Sequence, residues 1–291
     1  PPLAAELADR LRAVGTPKVL AVDEWVGGAA ADEDSPLETA AMSDLEALGE
    51  KDFSTFTPDE LEAARRLARR LARRMAGRLS RRRRPSARRG QIDLRRSLRG
   101  NVSRGEMIRL AFRARRPRPA RLVVLCDVSG SMDLYSRALV QFLHALQDAF
   151  SSMETFTFST RLTRVTRMLR GRPFGAALEA LTAVRDWSGG TRIGEALARF
   201  NALWGARLVD RRTVVLILSD GWDTGDPEVL AREMDGIRRR ARRLVWLNPL
   251  LGQPDYQPLT RGMAAALPLV HAFLPAHNLA SLGALERVLR V

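Results

Sequence analysis

Cysteine is almost missing from this 291-residue chain: Cys126 is the only one. That excludes a disulfide framework and leads us to expect a cytoplasmic protein. Long apolar runs are missing too, and none reaches the roughly 18 residues that a membrane-spanning helix needs. Histidine is scarce: His144, His271 and His277 stand far apart, without the HExxH spacing of a zinc protease. There is no GxxxxGK[ST] P-loop, no GxGxxG after a strand pattern and no GxSxG elbow around a serine. With these signatures of catalysis gone, a non-enzymatic role is expected. Lysine occurs only at Lys18 and Lys51, and every other base is Arg. The chain opens Pro1-Pro2-Leu3 without an initiating Met, and it reads as a fragment of a longer natural sequence.

What is present is apolar residue enough for a sizeable core, 45% of the chain, and a net charge of +15 that is very unevenly spread. Residues 1–60 carry a net charge of −10, residues 61–121 carry +20, and residues 122–291 carry +5. The high isoelectric point therefore belongs to one segment. We divide the chain into an acidic, weakly helical N-terminal segment at 1–56, an Arg-rich helix and basic linker at 57–120, and an α/β domain at 121–291. In the first segment, weak helices are expected at 3–14 and 37–48, with a Gly- and Ala-rich linker at 27–36 between them.

Thr57-Pro58-Asp59-Glu60 is a helix start, with Thr57 as N-cap and Glu60 completing a capping box. The helix should run to about Leu79. Leu61, Ala64, Leu67, Ala68, Leu71, Ala72, Met75 and Leu79 recur at steps of three and four and form one apolar stripe. Arg65, Arg66, Arg69, Arg70, Arg73 and Arg74 fill the other side. That side is either a solvated face with the acidic segment as counter-charge, or a surface for an acidic partner, an anionic membrane or nucleic acid. Residues 80–121 stay basic without helical periodicity. Phe112 is their only aromatic, so the base-stacking pattern of single-strand binders is missing.

From Arg121 the pattern alternates. Short continuous apolar runs at 122–126, 213–218 and 244–247 read as strands buried on both faces. Two short strands joined by a tight turn are expected at 153–158 and 162–166, and a further strand at 270–274. Helices are expected at 134–150, 173–184, 193–204, 227–240 and 279–289. Alternation of this kind predicts a doubly wound, mostly parallel sheet covered by helices on both sides, and such sheets bind ligands beyond the C-terminal ends of their strands.

Three loops meet there. Asp127-Val128-Ser129-Gly130-Ser131 follows the first long strand, Ser188-Gly189-Gly190-Thr191 precedes a helix, and Ser219-Asp220-Gly221 follows the second long strand. Asp127, Ser129, Ser131, Thr191 and Asp220 are all hard oxygen donors. Two carboxylates and three hydroxyls suit Mg²⁺, or Mn²⁺ or Ca²⁺, with a position left for a partner's carboxylate. Trp222 and Tyr135 follow the two Asp loops and are expected to rim the site. Asp133, Asp223 and Asp226 are read as helix caps or supporting groups, and Cys126 and the three His as structural.

The arrangement resembles the von Willebrand factor type A (vWA) domain and its metal-ion-dependent adhesion site. The family's DxSxS element matches Asp127, Ser129 and Ser131, its Thr matches Thr191 and its second Asp matches Asp220. The resemblance covers about residues 120–291 and implies a Rossmann-like sheet of about six strands, one of them antiparallel at the edge. A narrower resemblance spans about 80–291. The strings DLRRSLRG, LVVLCDVSGSM, SRALVQFLHAL, LSDGWDTGD and WLNPLLG…YQPLTRGMAAALP are similar to the CoxE-like branch. That resemblance implies an accessory protein working with a MoxR-type AAA+ ATPase in the maturation of a client molybdenum hydroxylase such as carbon monoxide dehydrogenase. The alternative reading is a nucleic-acid-binding protein that uses the Arg-rich segment.

Overall fold

The computed structural model describes residues 47–77, 83–86, 91–101, 110–115, 121–150, 152–184, 190–253, 255–285 and 288. The helix and linker expected at 3–14 and 27–36 lie outside them, as does most of 37–48, of which residues 47 and 48 open a helical turn at 47–50.

The first long helix, α1 (Pro58–Gly77), begins where the capping box sets it. Thr57 Oγ1 accepts from the Glu60 N–H at 3.4 Å, and the Thr57 N–H donates to Glu60 Oε2 at 2.8 Å. Lys51 Nζ lies 2.6 Å from Glu60 Oε1, and that bond, with those from Thr57, holds the Glu60 carboxyl near pKa 2. Leu61, Ala64, Leu67, Ala68, Leu71, Ala72 and Met75 are buried, while Glu62, Arg66, Arg70 and Arg73 face water.

A small three-stranded sheet follows, β1 (Arg83–Ser86), β2 (Gln91–Ile92) and β3 (Phe112–Arg115), in the order β1-β3-β2, with helix α2 (Leu94–Asn101) between the second and third strands. The lack of helical periodicity at 80–121 gave no sign of α2. Its charged residues leave almost no apolar stripe; Asp93 Oδ1 caps it by accepting from the Arg96 N–H at 3.3 Å, and longer-range bonds fix it in place. The Asp93 N–H donates to the Ala111 carbonyl at 2.7 Å, and Ser97 Oγ accepts from the Ala111 N–H at 2.8 Å.

Among the described residues the main sheet has six strands: β4 (Arg121–Asp127), β5 (Met153–Phe158), β6 (Leu162–Arg164), β7 (Thr213–Leu218), β8 (Arg243–Asn248) and β9 (Ala272–Pro275). Their order is β6-β5-β4-β7-β8-β9; every pairing is parallel except that of the edge strand β6 with β5. The helices are α3 (Asp133–Ala149), α4 (Thr166–Leu169), α5 (Phe174–Val184), α6 (Ile193–Phe200), α7 (Pro227–Arg240), α8 (Arg261–Ala266) and α9 (Leu279–Gly283). This is the doubly wound fold that the strand and helix alternation implies.

Side chains of successive strand residues point to opposite faces. Leu122, Val124 and Cys126 enter a core with α1, α3 and α9, and Val123 and Leu125 enter a second core with α6, α7 and α8. Helix α1 is thus an integral layer over one face, packed along α3. Several boundaries differ from the expected ones; the strand expected at 162–166, for one, ends at Arg164, and Thr166 opens α4. The helix expected at 193–204 is α-helical to Phe200 and then widens into a π turn at Asn201–Gly205, where Asn201 Nδ2 donates to the Glu233 carbonyl and carboxylate. The strand expected at 270–274 starts at Ala272. The last helix, expected at 279–289, spans Leu279–Gly283 and turns at Ala284, with Leu285 and Val288 helical again beyond the turn.

Candidate metal centre

The register Cys126↔Leu218 between β4 and β7 decides the geometry of the centre, because it sets Asp127 beside Ser219 where both strands end. Ser219 Oγ donates to Asp127 Oδ2 at 2.7 Å, and the Ser129 N–H donates to Asp127 Oδ1 at 2.9 Å. Both bonds fix the carboxylate's orientation. Ser129 Oγ and Ser131 Oγ lie 3.2 Å apart, so the two hydroxyls of the first loop converge. Ser129 is buried and Ser131 faces water, which places Ser131 at the mouth.

Asp220 is 1% exposed, and its Oδ1 accepts from the Trp222 N–H at 3.0 Å. The turn depends on Gly221, at φ +82°, where a Cβ would run into the buried Met263 side chain. Both the φ and the contact exclude a side chain there. The Asp220 carbonyl is held by Asn248 Nδ2 at 3.0 Å and by Tyr256 Oη at 3.2 Å. Thr191, buried in the middle loop, receives at its carbonyl the Thr224 N–H and the Thr224 hydroxyl, both at 2.9 Å. The Arg192 N–H donates to the Ser159 carbonyl at 3.1 Å. All three loops are therefore tied to one another and to the strand ends. Gly190 and Thr191 are described; Ser188 and Gly189 lie outside the described residues.

Burial pushes the Asp127 carboxyl up to about pKa 6; its bonds from Ser129 and Ser219 pull it down, and the charge of Asp220 adds to the rise. Among the described residues, neither Asp127 nor Asp220 forms an ion pair with a base, and the second oxygen of Asp220 and the hydroxyl of Thr191 have no hydrogen bond. Two buried like charges without a counter-ion are costly, and a cation between them removes the cost. The donor set is all oxygen, as a hard divalent ion requires. The five residues expected from the sequence fit such an ion.

Other expectations divide. Trp222 is 59% exposed and stands at the rim, whereas Tyr135 is buried, so it does not rim the site as expected. Position 135 falls on the inner face of α3, and Gln253 Nε2 donates to its hydroxyl at 3.3 Å. Asp226 caps α7 by accepting from the Glu228 N–H at 2.9 Å. Asp223 Oδ1 takes the N–H groups of Ile193 and Gly225, each at 3.0 Å, which makes it the cap of α6. Its Oδ2 is buried without a partner among the described residues. Cys126 is buried. His144 Nε2 lies 2.8 Å from the Arg172 carbonyl and His271 Nδ1 accepts from the Leu244 N–H, so both are structural. Sequence reasoning gave no role to Ser219, Asn248 or Tyr256. The serine preceding Asp220 was the one local signal.

A parallel sheet with an antiparallel edge strand and a DxSxS loop beyond its central strand defines a vWA domain. The model of the VWA domain containing CoxE-like protein family matches residues 63–282. The chain belongs to that CoxE-like family. No curated protein sequence matches it. Among solved structures it is similar to a von Willebrand factor type A protein from Catenulispora acidiphila, at 17% identity and TM-score 0.42, over 62% of this chain and 44% of that one. It is also similar to proximal thread matrix protein 1 from the mussel byssus, at 15% identity and TM-score 0.41, over 59% and 47%. A third is the RO (RSR) protein of Deinococcus radiodurans, at 14% identity and TM-score 0.40, over 90% and 50%. The chain thus spans about half the length of each of these three. Domains of the vWA type generally mediate protein–protein interactions, and membership of the CoxE-like family supports an accessory or adaptor role. Among the described residues no helix is long and apolar enough to cross a membrane.

Proposed function

We propose that Asp127, Ser129, Ser131, Thr191 and Asp220 hold a divalent cation, Mg²⁺ or in its place Mn²⁺ or Ca²⁺, and that the protein grips a partner's carboxylate there. One observation carries this reading: Asp127 and Asp220 are both 1% exposed, adjacent, and without a basic partner among the described residues. When bound, the cation supplies positive charge and an open coordination position. The protein's own residues do the rest. Ser219 and the Ser129 N–H aim Asp127, Asn248 and Tyr256 brace the Asp220 turn, and the Ser131 hydroxyl at the mouth meets the incoming group. Among the described residues no general base is paired with the site, and we read it as a binding site.

Family membership extends the reading to a non-enzymatic accessory of the cytoplasm. Its partners are a MoxR-type AAA+ ATPase, which remodels, and a client molybdenum hydroxylase under maturation. The test is affinity capture on the full chain from its native extract, in Mg²⁺ and again in EDTA. A MoxR-type ATPase or molybdenum hydroxylase retained only in Mg²⁺ supports the reading. Retention indifferent to EDTA, or of nucleic acid alone, overturns it.

A further inference from the structure

Three large apolar side chains of the α/β domain stand exposed among the described residues: Leu203, Trp222 and Leu259. Solitary exposed apolar residues are ordinary, but two on neighbouring, hydrogen-bonded turns next to a site offer a docking surface. Trp222 is two residues past Asp220 and 59% exposed. Leu259, 52% exposed, lies between Tyr256 and Thr260, which bond the Asp220 and Gly221 carbonyls. They lie on adjacent turns: Thr260 Oγ1 donates to the Gly221 carbonyl at 3.0 Å, and a Cβ at Gly262 would stand 2.8 Å from Asp223 Cβ.

The backbone under both side chains is braced. The Trp222 N–H is bonded to Asp220, and the strap from Asn248 to Thr260 is fastened to the Asp220 and Gly221 carbonyls. A braced backbone carrying two side chains out into water is pre-ordered for a partner, and little conformational freedom remains to be lost on binding.

Resting on the metal-site reading above, we propose that Trp222 and Leu259 select the partner: the segment that completes the site carries a large apolar residue next to its carboxylate. Charge complementarity fixes the first half of that chemistry, because a cation open to one side calls for an anion. The exposed tryptophan and leucine fix the second. The occupant is a segment of a partner protein in which Asp or Glu neighbours Leu, Phe or Trp.

The test uses blocked, fluorescein-labelled peptides titrated to millimolar concentration against the full chain. One carries glutamate followed by leucine, another glutamate followed by serine, and a third glutamine followed by leucine. In Mg²⁺ the glutamate–leucine peptide is expected to bind about tenfold more tightly than the glutamate–serine peptide, from the apolar area removed from water. The glutamine peptide and EDTA both abolish binding. Trp222→Ser and Leu259→Ser, singly and together, should cut the preference to about twofold or less and leave the glutamate–serine affinity in place. Both side chains stand in water, so folding is not at risk, and Mg²⁺ binding by calorimetry is the control.

A preference unchanged in the double variant, or no preference in a chain whose peptide binding is EDTA-sensitive, overturns this inference alone. An unaltered chain that binds no Mg²⁺ overturns the metal-site reading, and this inference falls with it. Binding seen only after Asp23→Asn and Glu24→Gln would make the chain's own Asp23-Glu24-Trp25 the occupant and overturn the assignment to a partner.

Discussion

The end of the main sheet and the outer face of α1 handle charge in opposite ways. At the sheet end, Asp127 and Asp220 are withdrawn from water, and the charge of Asp220 is felt at Asp127, with no ion-paired base among the described residues. On α1, Arg66, Arg70 and Arg73 stand in water, on a helix whose other face is sealed into the core. The difference separates a site from a surface. Concentrated, desolvated charge binds one ion in one geometry, whereas dispersed, solvated charge steers partners and is screened by salt. Net charge alone gave the opposite emphasis, since the +20 segment dominates the sequence and the two carboxylates hardly register in it.

Removing the buried charge should have the largest effect. Asp127→Asn is expected to weaken Mg²⁺ binding about a hundredfold or more, read by calorimetry. It should at the same time stabilise the metal-free protein at pH 7.5 by on the order of 2–3 kcal/mol. The sign follows from the folded carboxyl titrating near 6, above its ordinary 3.8. Between those values the folded state binds more protons than the unfolded one, so metal-free stability falls as pH rises from 4 to 6 and is then flat. Asp127→Asn should abolish that slope in urea titrations at several pH values. A metal-free protein equally stable at pH 4.5 and 7.5 in this respect would break the contrast at its buried end.

The contrast also requires α1 to be fixed to the domain. Leu71 is 1% exposed in the core shared with α3, so Leu71→Ala should cost about 2–4 kcal/mol in a single cooperative unfolding transition. A separate low-stability transition for α1 would instead make the helix an appendage. The smallest effect belongs to the solvated face. Replacing Arg66, Arg70 and Arg73 with Gln should weaken association with an acidic partner a few-fold at low salt and hardly at 0.5 M salt, with Mg²⁺ affinity unchanged. Loss of nucleic-acid retention with full partner association would instead turn that face into a nucleic-acid surface.

The legible parts were those governed by neighbours in the chain. The capping box at Thr57 and Glu60 and the apolar stripe from Leu61 to Met75 are local patterns, and the helix follows them. The strands at 122–127 and 213–218 are apolar enough to be buried on both faces, and the oxygen donors follow the strand ends. Illegible were the small sheet β1–β3 and the helix at Leu94–Asn101, tied to Ala111, the bracing roles of Ser219, Asn248 and Tyr256, and the burial of Tyr135, which α3 turns inward.

By itself the sequence determined the alternation of strands and helices, the doubly wound class, and the five oxygen donors at loop positions, because turn chemistry and hydrophobic period act over a few residues. Only the tertiary structure decided how those donors are held. Strand order puts β7 beside β4, and this alone brings Ser219 to within 2.7 Å of Asp127 across 92 residues of chain. The same order carries Asn248 and Tyr256 to the Asp220 carbonyl and Thr260 to the Gly221 carbonyl. A hydrogen bond between two strand ends depends on which strands pair and in what register, and neither is written in the residues that make it.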